Sequence, residues 1–93
     1  MANGLGASQG LTRTVREILR DEWDPIGVRG MRGAEDEYDG YISDICALIQ
    51  TGKSAAAIAE YLWWAETTHM GLDGNRQRTS RVAASLLSAT HKL

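Results

Sequence analysis

Apolar side chains recur along this chain at intervals of three and four, and the intervals fall into four blocks. In the first, Val15, Ile18, Leu19 and Trp23 follow at spacings of three, one and four, which draws one stripe along a helix. Arg13, Arg16, Glu17, Arg20 and Asp21 take the opposite face. Thr12 is expected to open this helix, because its hydroxyl can accept a first-turn N–H. Pro25 is expected to close it, because proline disfavours the helical conformation in Asp24 before it.

The second block, Tyr38, Tyr41, Ile42, Ile45, Leu48 and Ile49, predicts a helix beginning near Glu35. There Glu35, Asp36 and Glu37 place negative charge at the positive end of the helix dipole. Thr51-Gly52 ends it, with Gly52 suited to a left-handed cap. The third block starts at Ser54, a good N-cap, and runs to about His69. Ile58, Leu62, Ala65 and His69 share one face, Tyr61 lies beside it, and Ala55, Ala56, Ala57 and Ala59 permit close approach of another helix. Gly71 terminates this helix, with Leu72 available for the apolar contact of a Schellman cap. After Asp73–Asn75, a turn rich in N-cap residues, Val82, Ala83, Leu86 and Leu87 form the inward face of a fourth helix.

Two stretches fall outside the pattern. Residues 1–10 hold three glycines and a single large apolar residue, Leu5, too little to offset the entropy of ordering them, so a flexible tail is expected ahead of a domain spanning 11–93. Pro25 to Gly33 carries Gly27, Gly30 and Gly33 with Arg29 and Arg32. Its alternating Ile26, Val28 and Met31 would be a lone strand with nothing to pair with, so an ordered loop is expected instead. The predicted fold is all-α: a compact bundle of about four helices, with short connections making neighbours antiparallel.

Length and charge narrow this further. Ninety-three residues allow one domain with one modest core. A net charge of -2 and a pI near 5.6 weigh against a nucleic-acid-binding surface. Cys46 is the one cysteine, so no internal disulfide is expected. No apolar run reaches the ~20 residues of a membrane span, and the first residues lack a signal-peptide layout. A cytoplasmic protein is expected.

Candidate chemistry is sparse. Glu35, Asp36, Glu37, Asp39 and Asp44 form an acidic group, but the alternating ligands and central glycine of a calcium loop are absent. This group reads first as a favourable helix start with a solvated face, and second as an anchor for a basic partner. Glu66 and His69 stand three apart like half of a di-iron ligand set, without the second half. Cys46 sits beside an apolar stripe, where thiols are inert packing groups. No nucleophile elbow, Walker loop or dinucleotide fingerprint occurs. The spaced glycines after Pro25 lead into acidic residues that would repel phosphate. No catalytic residue, metal or cofactor is therefore expected. A metal-dependent enzyme at Asp36, Asp39, Glu66 and His69 is kept as one alternative. Arg76, Arg78 and Arg81 are the best candidates for touching nucleic acid and make a second; the competing expectation pairs them with Asp24 or with the Glu35–Asp39 run.

Trp63-Trp64 is the most unusual dipeptide. Adjacent helical positions point about 100° apart, so both rings cannot face one core, and Trp64 is the more outward. Exposed tryptophan is favoured at binding hot spots; the competing expectation is that a loop or the N-terminal tail covers it.

Asp21-Glu22-Trp23-Asp24-Pro25-Ile26-Gly27-Val28, Asp36-Glu37-Tyr38-Asp39-Gly40-Tyr41-Ile42, Ile58-Ala59-Glu60-Tyr61-Leu62 and His69-Met70-Gly71-Leu72 together resemble a group of small uncharacterised bacterial proteins. That group combines a Trp-Asp-Pro-Ile-Gly-Val turn with an Asp-Glu-Tyr-Asp helix start. The resemblance covers roughly residues 12–90. It implies a bacterial or phage origin and a helical fold, and no particular activity. The shared segments also predict a loop anchor: Trp23 closes the core below Pro25, and Asp24, Arg29 or Arg32 bonds with Asp36, Asp39 or Tyr38. The expected function is contact with another protein, with Asp36, Tyr38, Asp39, Tyr41, Trp63 and Trp64 as the surface and a basic region on the partner as its target. Immunity proteins and phage inhibitors of bacterial defence are of this kind. Pairing of two copies through the same aromatics is a variant.

Overall fold

The computed structural model describes residues 2–27 and 37–91, with side chains from Gly10 onward. The loop-anchor candidates Arg29 and Arg32 and the surface candidate Asp36 lie outside the described residues. The described residues form four helices: α1 (Ala2–Ile18), α2 (Asp39–Gln50), α3 (Ala55–Trp64) and α4 (Arg76–Thr90). Two of them end in a wide π-helical turn, Leu19–Trp23 after α1 and Ala65–His69 after α3. α1 packs against α2 and α4, and α3 packs most extensively against α4. The contact between α2 and α3 is the thinnest of these.

The caps follow from the residues that hold them. The side chain of Ser54 accepts from the Ala57 N–H at 3.2 Å, and that of Asn75 accepts from the Arg78 N–H at 2.9 Å. Gly52, at φ +77°, closes α2 in a full Schellman motif: its N–H reaches the Ile49 carbonyl and the Lys53 N–H reaches that of Leu48. Gly71, at φ +74°, ends the third helical segment as expected, but the Leu72 N–H reaches back six residues to Glu66, and Leu72 itself is exposed rather than packed.

One boundary moves. The first helix begins at Ala2, not Thr12, so the backbone of the segment expected to be a tail is helical. Extending an existing helix fixes one residue per added hydrogen bond and is far cheaper than nucleating one, and no proline interrupts the run back from the packed segment. Leu11, Val15, Ile18, Leu19 and Trp23 are the residues this element buries.

Ile42 and Ile45 of α2, Ile58, Leu62 and Ala65 of the third segment, and Val82, Ala83 and Leu86 of α4 complete the core. His69, placed on the same stripe by a regular helical period, is exposed, and Glu66 is buried in its stead with no accessible surface. Glu66, four residues after buried Leu62, falls on the inner side at a regular period; the wide turn is what moves His69. It spends an extra residue on its circuit, which retards the angular position of everything after Ala65.

Burying Glu66 is tolerated because its oxygens are fully occupied. Oε1 accepts from Trp23 Nε1 at 2.6 Å and from Arg78 Nη2 at 3.2 Å, and Oε2 accepts from the Asn75 N–H at 3.0 Å. One carboxylate thus joins the end of the first helix, the last turn of the third and the first turn of α4. Arg78 is paired with this group rather than with Asp24 or the acidic helix start.

A second tie holds the segment after Trp23. Asp24 takes a left-handed conformation, φ 31°, and its N–H closes onto the Leu19 carbonyl. Tyr38 is buried and donates its hydroxyl to Asp24 Oδ1 at 2.8 Å, while that hydroxyl's own oxygen, Tyr38 Oη, accepts from the Ile26 N–H at 3.1 Å. The Asp24–Tyr38 pair is one of the anchors expected from sequence; Asp39 instead faces Arg16 at 3.5 Å. Burial, together with the hydrogen bond to Asp24, pushes the Tyr38 hydroxyl well above its ordinary ionisation range.

Both ties are open to measurement. Replacing Glu66 with glutamine presents an amide N–H₂ to one of three donors; the variant is expected to lose about 2–3 kcal/mol and to melt roughly 10–20 °C lower by circular dichroism. A tyrosine held neutral by the fold contributes stability that is intact below its unfolded value of 10.0 and is lost as pH climbs toward its raised folded value. Denaturant midpoints should therefore fall above about pH 10, and Tyr38→Phe should flatten that alkaline fall while lowering stability at pH 7 by about 1 kcal/mol.

Candidate partner-binding site

The α2–α3 seam opens into a cleft lined by Glu37, Gly40, Tyr41 and Asp44 on one side and Tyr61, Trp64 and His69 on the other. Periodicity explains the membership. Glu37, Tyr41 and Asp44 are spaced four and three along α2 and its approach, and Tyr61 and Trp64 are three apart on α3, so each set shares a face. His69 joins them because the wide turn rotates it out of the core.

The rings form a continuous relay from the interior outward. Trp23 meets Tyr38 at 5.4 Å between centroids and Tyr41 edge-to-face at 5.7 Å. Tyr41 meets His69 edge-to-face at 5.6 Å, and the two are joined by a hydrogen bond between Tyr41 Oη and His69 Nδ1. His69 lies stacked on Trp64, with an interplanar angle of 22° and centroids 5.5 Å apart. Trp64 in turn meets Tyr61 at 5.7 Å with a tilt of 35°. Contacts of this geometry add to the burial of the rings. They hold the outer ones in place although Trp64 is 44% exposed.

Carboxylates border the rings. Tyr61 donates its hydroxyl to Asp44 Oδ2 at 2.7 Å. Burial first, and this bond second, push the Tyr61 hydroxyl far above its usual range. The Tyr41 hydroxyl is also pushed up, first by burial and then by the nearby charge of Glu37. Both tyrosines are thus neutral hydrogen-bonding groups at any ordinary pH.

Of the six residues expected to form the contact surface, the five that are described separate. Tyr41 and Trp64 stand in the cleft. Tyr38 is buried beneath it and belongs to the loop anchor. Asp39 lines a different groove between α1 and α2, with Leu11, Thr12, Arg16 and Cys46. Trp63 is half-buried: the Arg76 guanidinium lies over its ring, 4.1 Å from the centroid, and Gly74 packs against its edge. A methyl group on Gly74 would come within 2.6 Å of that ring, and the backbone there has φ +85°, so the α3–α4 connection covers Trp63 only because position 74 is glycine. Tyr61 and His69 were not assigned to a surface from sequence, and Glu37 and Asp44 were placed only in the acidic group, as a solvated face or an anchor for a basic partner. The Tyr41–Asp44 and Tyr61–Trp64 spacings were the available signal.

The other chemical candidates are committed elsewhere. Among the described residues no three His, Cys, Asp or Glu side chains gather to hold a metal ion. Both oxygens of Glu66 are engaged by nitrogen donors in the interior, whereas the His69 ring is exposed and bonded to Tyr41. The Cys46 thiol is buried, which pushes its pKa up, with a hydrogen bond involving Thr12 acting the other way. Arg76 pairs with Glu60 and Arg78 with Glu66. Arg81 is exposed. No described helix is long and apolar enough to cross a membrane.

The two adjacent tryptophans should respond differently to truncation. Trp64→Ala is expected to change urea-unfolding stability by less than about 1 kcal/mol. Trp63→Ala, which strips the seat of Arg76 and the floor under Gly74, should cost about 2–3 kcal/mol.

No family model matches the chain, and no curated protein or solved structure is significantly similar to it.

Proposed function

We propose that this chain is a small non-catalytic protein that works by binding another protein, with the α2–α3 cleft at the centre of the contact. The observation that carries this is Trp64: a large apolar ring, 44% exposed, held in place by Tyr61 and His69 and bordered by Glu37 and Asp44. Rigid aromatics in a surface recess are the groups that dominate protein interfaces. Carboxylates beside them favour a basic target and reject an acidic one. The polar groups of the cleft are bonded to one another, Tyr61 to Asp44 and Tyr41 to His69, an arrangement that fixes a surface more than it frees a base.

The role is that of an immunity protein or a phage-borne inhibitor of a bacterial defence or toxin component, acting in the cytoplasm. The likeness to small bacterial proteins at the Trp23–Val28 and Asp36–Ile42 segments belongs to the same reading. Nucleic acid is a poor fit, because Arg76 and Arg78, two of the three candidate phosphate-contacting arginines, are paired with Glu60 and Glu66.

The test is capture from a lysate of the encoding cell by the immobilised chain and by its Trp64→Ala variant, each shown by circular dichroism to be folded. A protein retained by the first and lost from the second is the expected result. Retention by both alike, or by neither, overturns the proposal; light scattering on the purified chain then tells whether a second copy is the occupant.

A further inference from the structure

The chain contains a worked example of how it handles a cation. The guanidinium of Arg76 lies over the ring of Trp63 and is bonded at the same time to Glu60. One indole, one carboxylate and one planar cation make a closed set. The neighbouring Trp64 has the first two parts of that set and lacks the third. It stands in a cleft with Glu37 and Asp44, yet among the described residues the cation over an aromatic ring is Arg76 alone.

We propose that the α2–α3 cleft receives the guanidinium of an arginine side chain from the partner protein. This rests on the protein-binding reading above and names the group recognised. Three features select arginine. The first is shape: Trp64 lies within 22° of the His69 plane and 35° of the Tyr61 plane, while Tyr41 crosses His69 at 83°. A recess walled by nearly parallel ring planes and closed by a crossing one suits a flat guest that slides along them.

The second is hydrogen bonding. Tyr61 occupies Asp44 Oδ2 and leaves Oδ1 without a donor among the described residues, and Glu37 lines the same cleft. A guanidinium carries five N–H donors in a fixed fork, enough to reach a carboxylate while its face rests on an indole. The third is hydration. The cleft is open to water, and a lysine ammonium, compact and strongly hydrated, would give up more than the weakly hydrated guanidinium on entering it.

The test titrates the intact chain with acetyl-Gly-Arg-Gly-amide and follows the aromatic and indole N–H signals by NMR. Two sister peptides carry lysine or citrulline, the latter a neutral group of the same outline. Saturable shifts at Trp64, Tyr41 and Tyr61 with the arginine peptide are expected, in the millimolar range for one exposed contact. Lysine should bind at least about threefold more weakly, and citrulline should give no saturation. Asp44→Asn preserves the acceptor for Tyr61 and removes the charge; it should weaken binding about three- to tenfold with the melting temperature little changed. Trp64→Ala should abolish it.

Equal shifts with citrulline, or shifts away from the cleft, overturn the inference. So does binding that appears only after Arg29 and Arg32 are both replaced by glutamine, which would assign the slot to the chain's own loop. A partner captured in a Trp64-dependent way with no response to the arginine peptide sinks the arginine assignment and leaves the protein-binding reading standing. Peptide binding with no Trp64-dependent partner does the reverse.

Discussion

A carboxylate with no contact to water is costly to bury, by several kcal/mol, unless each of its oxygens meets a donor. In this chain Glu66 meets three, from Trp23, Arg78 and the backbone of Asn75, and the rest of the architecture is arranged to bring them there. Trp23 arrives at the end of the first helix, Arg78 and Asn75 at the start of the fourth, and Glu66 in the last turn of the third. None of these ends is held by contiguous apolar packing alone. The triple junction specifies their relative placement, because an alternative docking of any one of them would leave a charge or an indole N–H buried without a partner.

The same junction shapes the surface. Glu66, four residues after buried Leu62, points inward, and the wide turn at Ala65–His69 carries His69 outward onto Trp64. The junction and the cleft wall thus come from one short stretch of chain. Departures of this type recur where a helix contributes to a functional surface. Here the reason is concrete: a regular helical period would return His69 to the stripe of Ile58, Leu62 and Ala65.

Much of this was legible in the sequence. The four apolar stripes set the four helices, since a period of 3.6 survives even in short amphipathic segments. Ser54, Gly52 and Asn75 marked their caps through chemistry that acts within a turn. The Trp63-Trp64 dipeptide implied two rings that could not face one core and was read as a surface pair; Trp64 is exposed, whereas Trp63 is half-buried under Arg76 and Gly74. What was not legible depended on long-range partners or on register. A π-helical turn has no residue signature of its own, so Glu66 and His69 appeared as a candidate ligand pair when one is a structural ion and the other a cleft wall. The mates of Arg76 and Arg78 lie on α3 and its last turn, 16 and 12 positions away, beyond what spacing alone can assign. Tyr38 read as a surface aromatic because its partners, Asp24 and the Ile26 N–H, lie across a loop from it.

The three indoles end in three unlike surroundings: Trp23 sealed against a carboxylate, Trp63 under a guanidinium, Trp64 facing solvent. With no phenylalanine in the chain, its ultraviolet emission comes from these rings and the tyrosines that feed them. Light from this protein is accordingly a sum of three separable signals: the interior, the α3–α4 turn, and the outer face. Quenchers dissolved in the buffer will reach the last of these first, so the chain carries its own optical probe of whatever settles over the cleft.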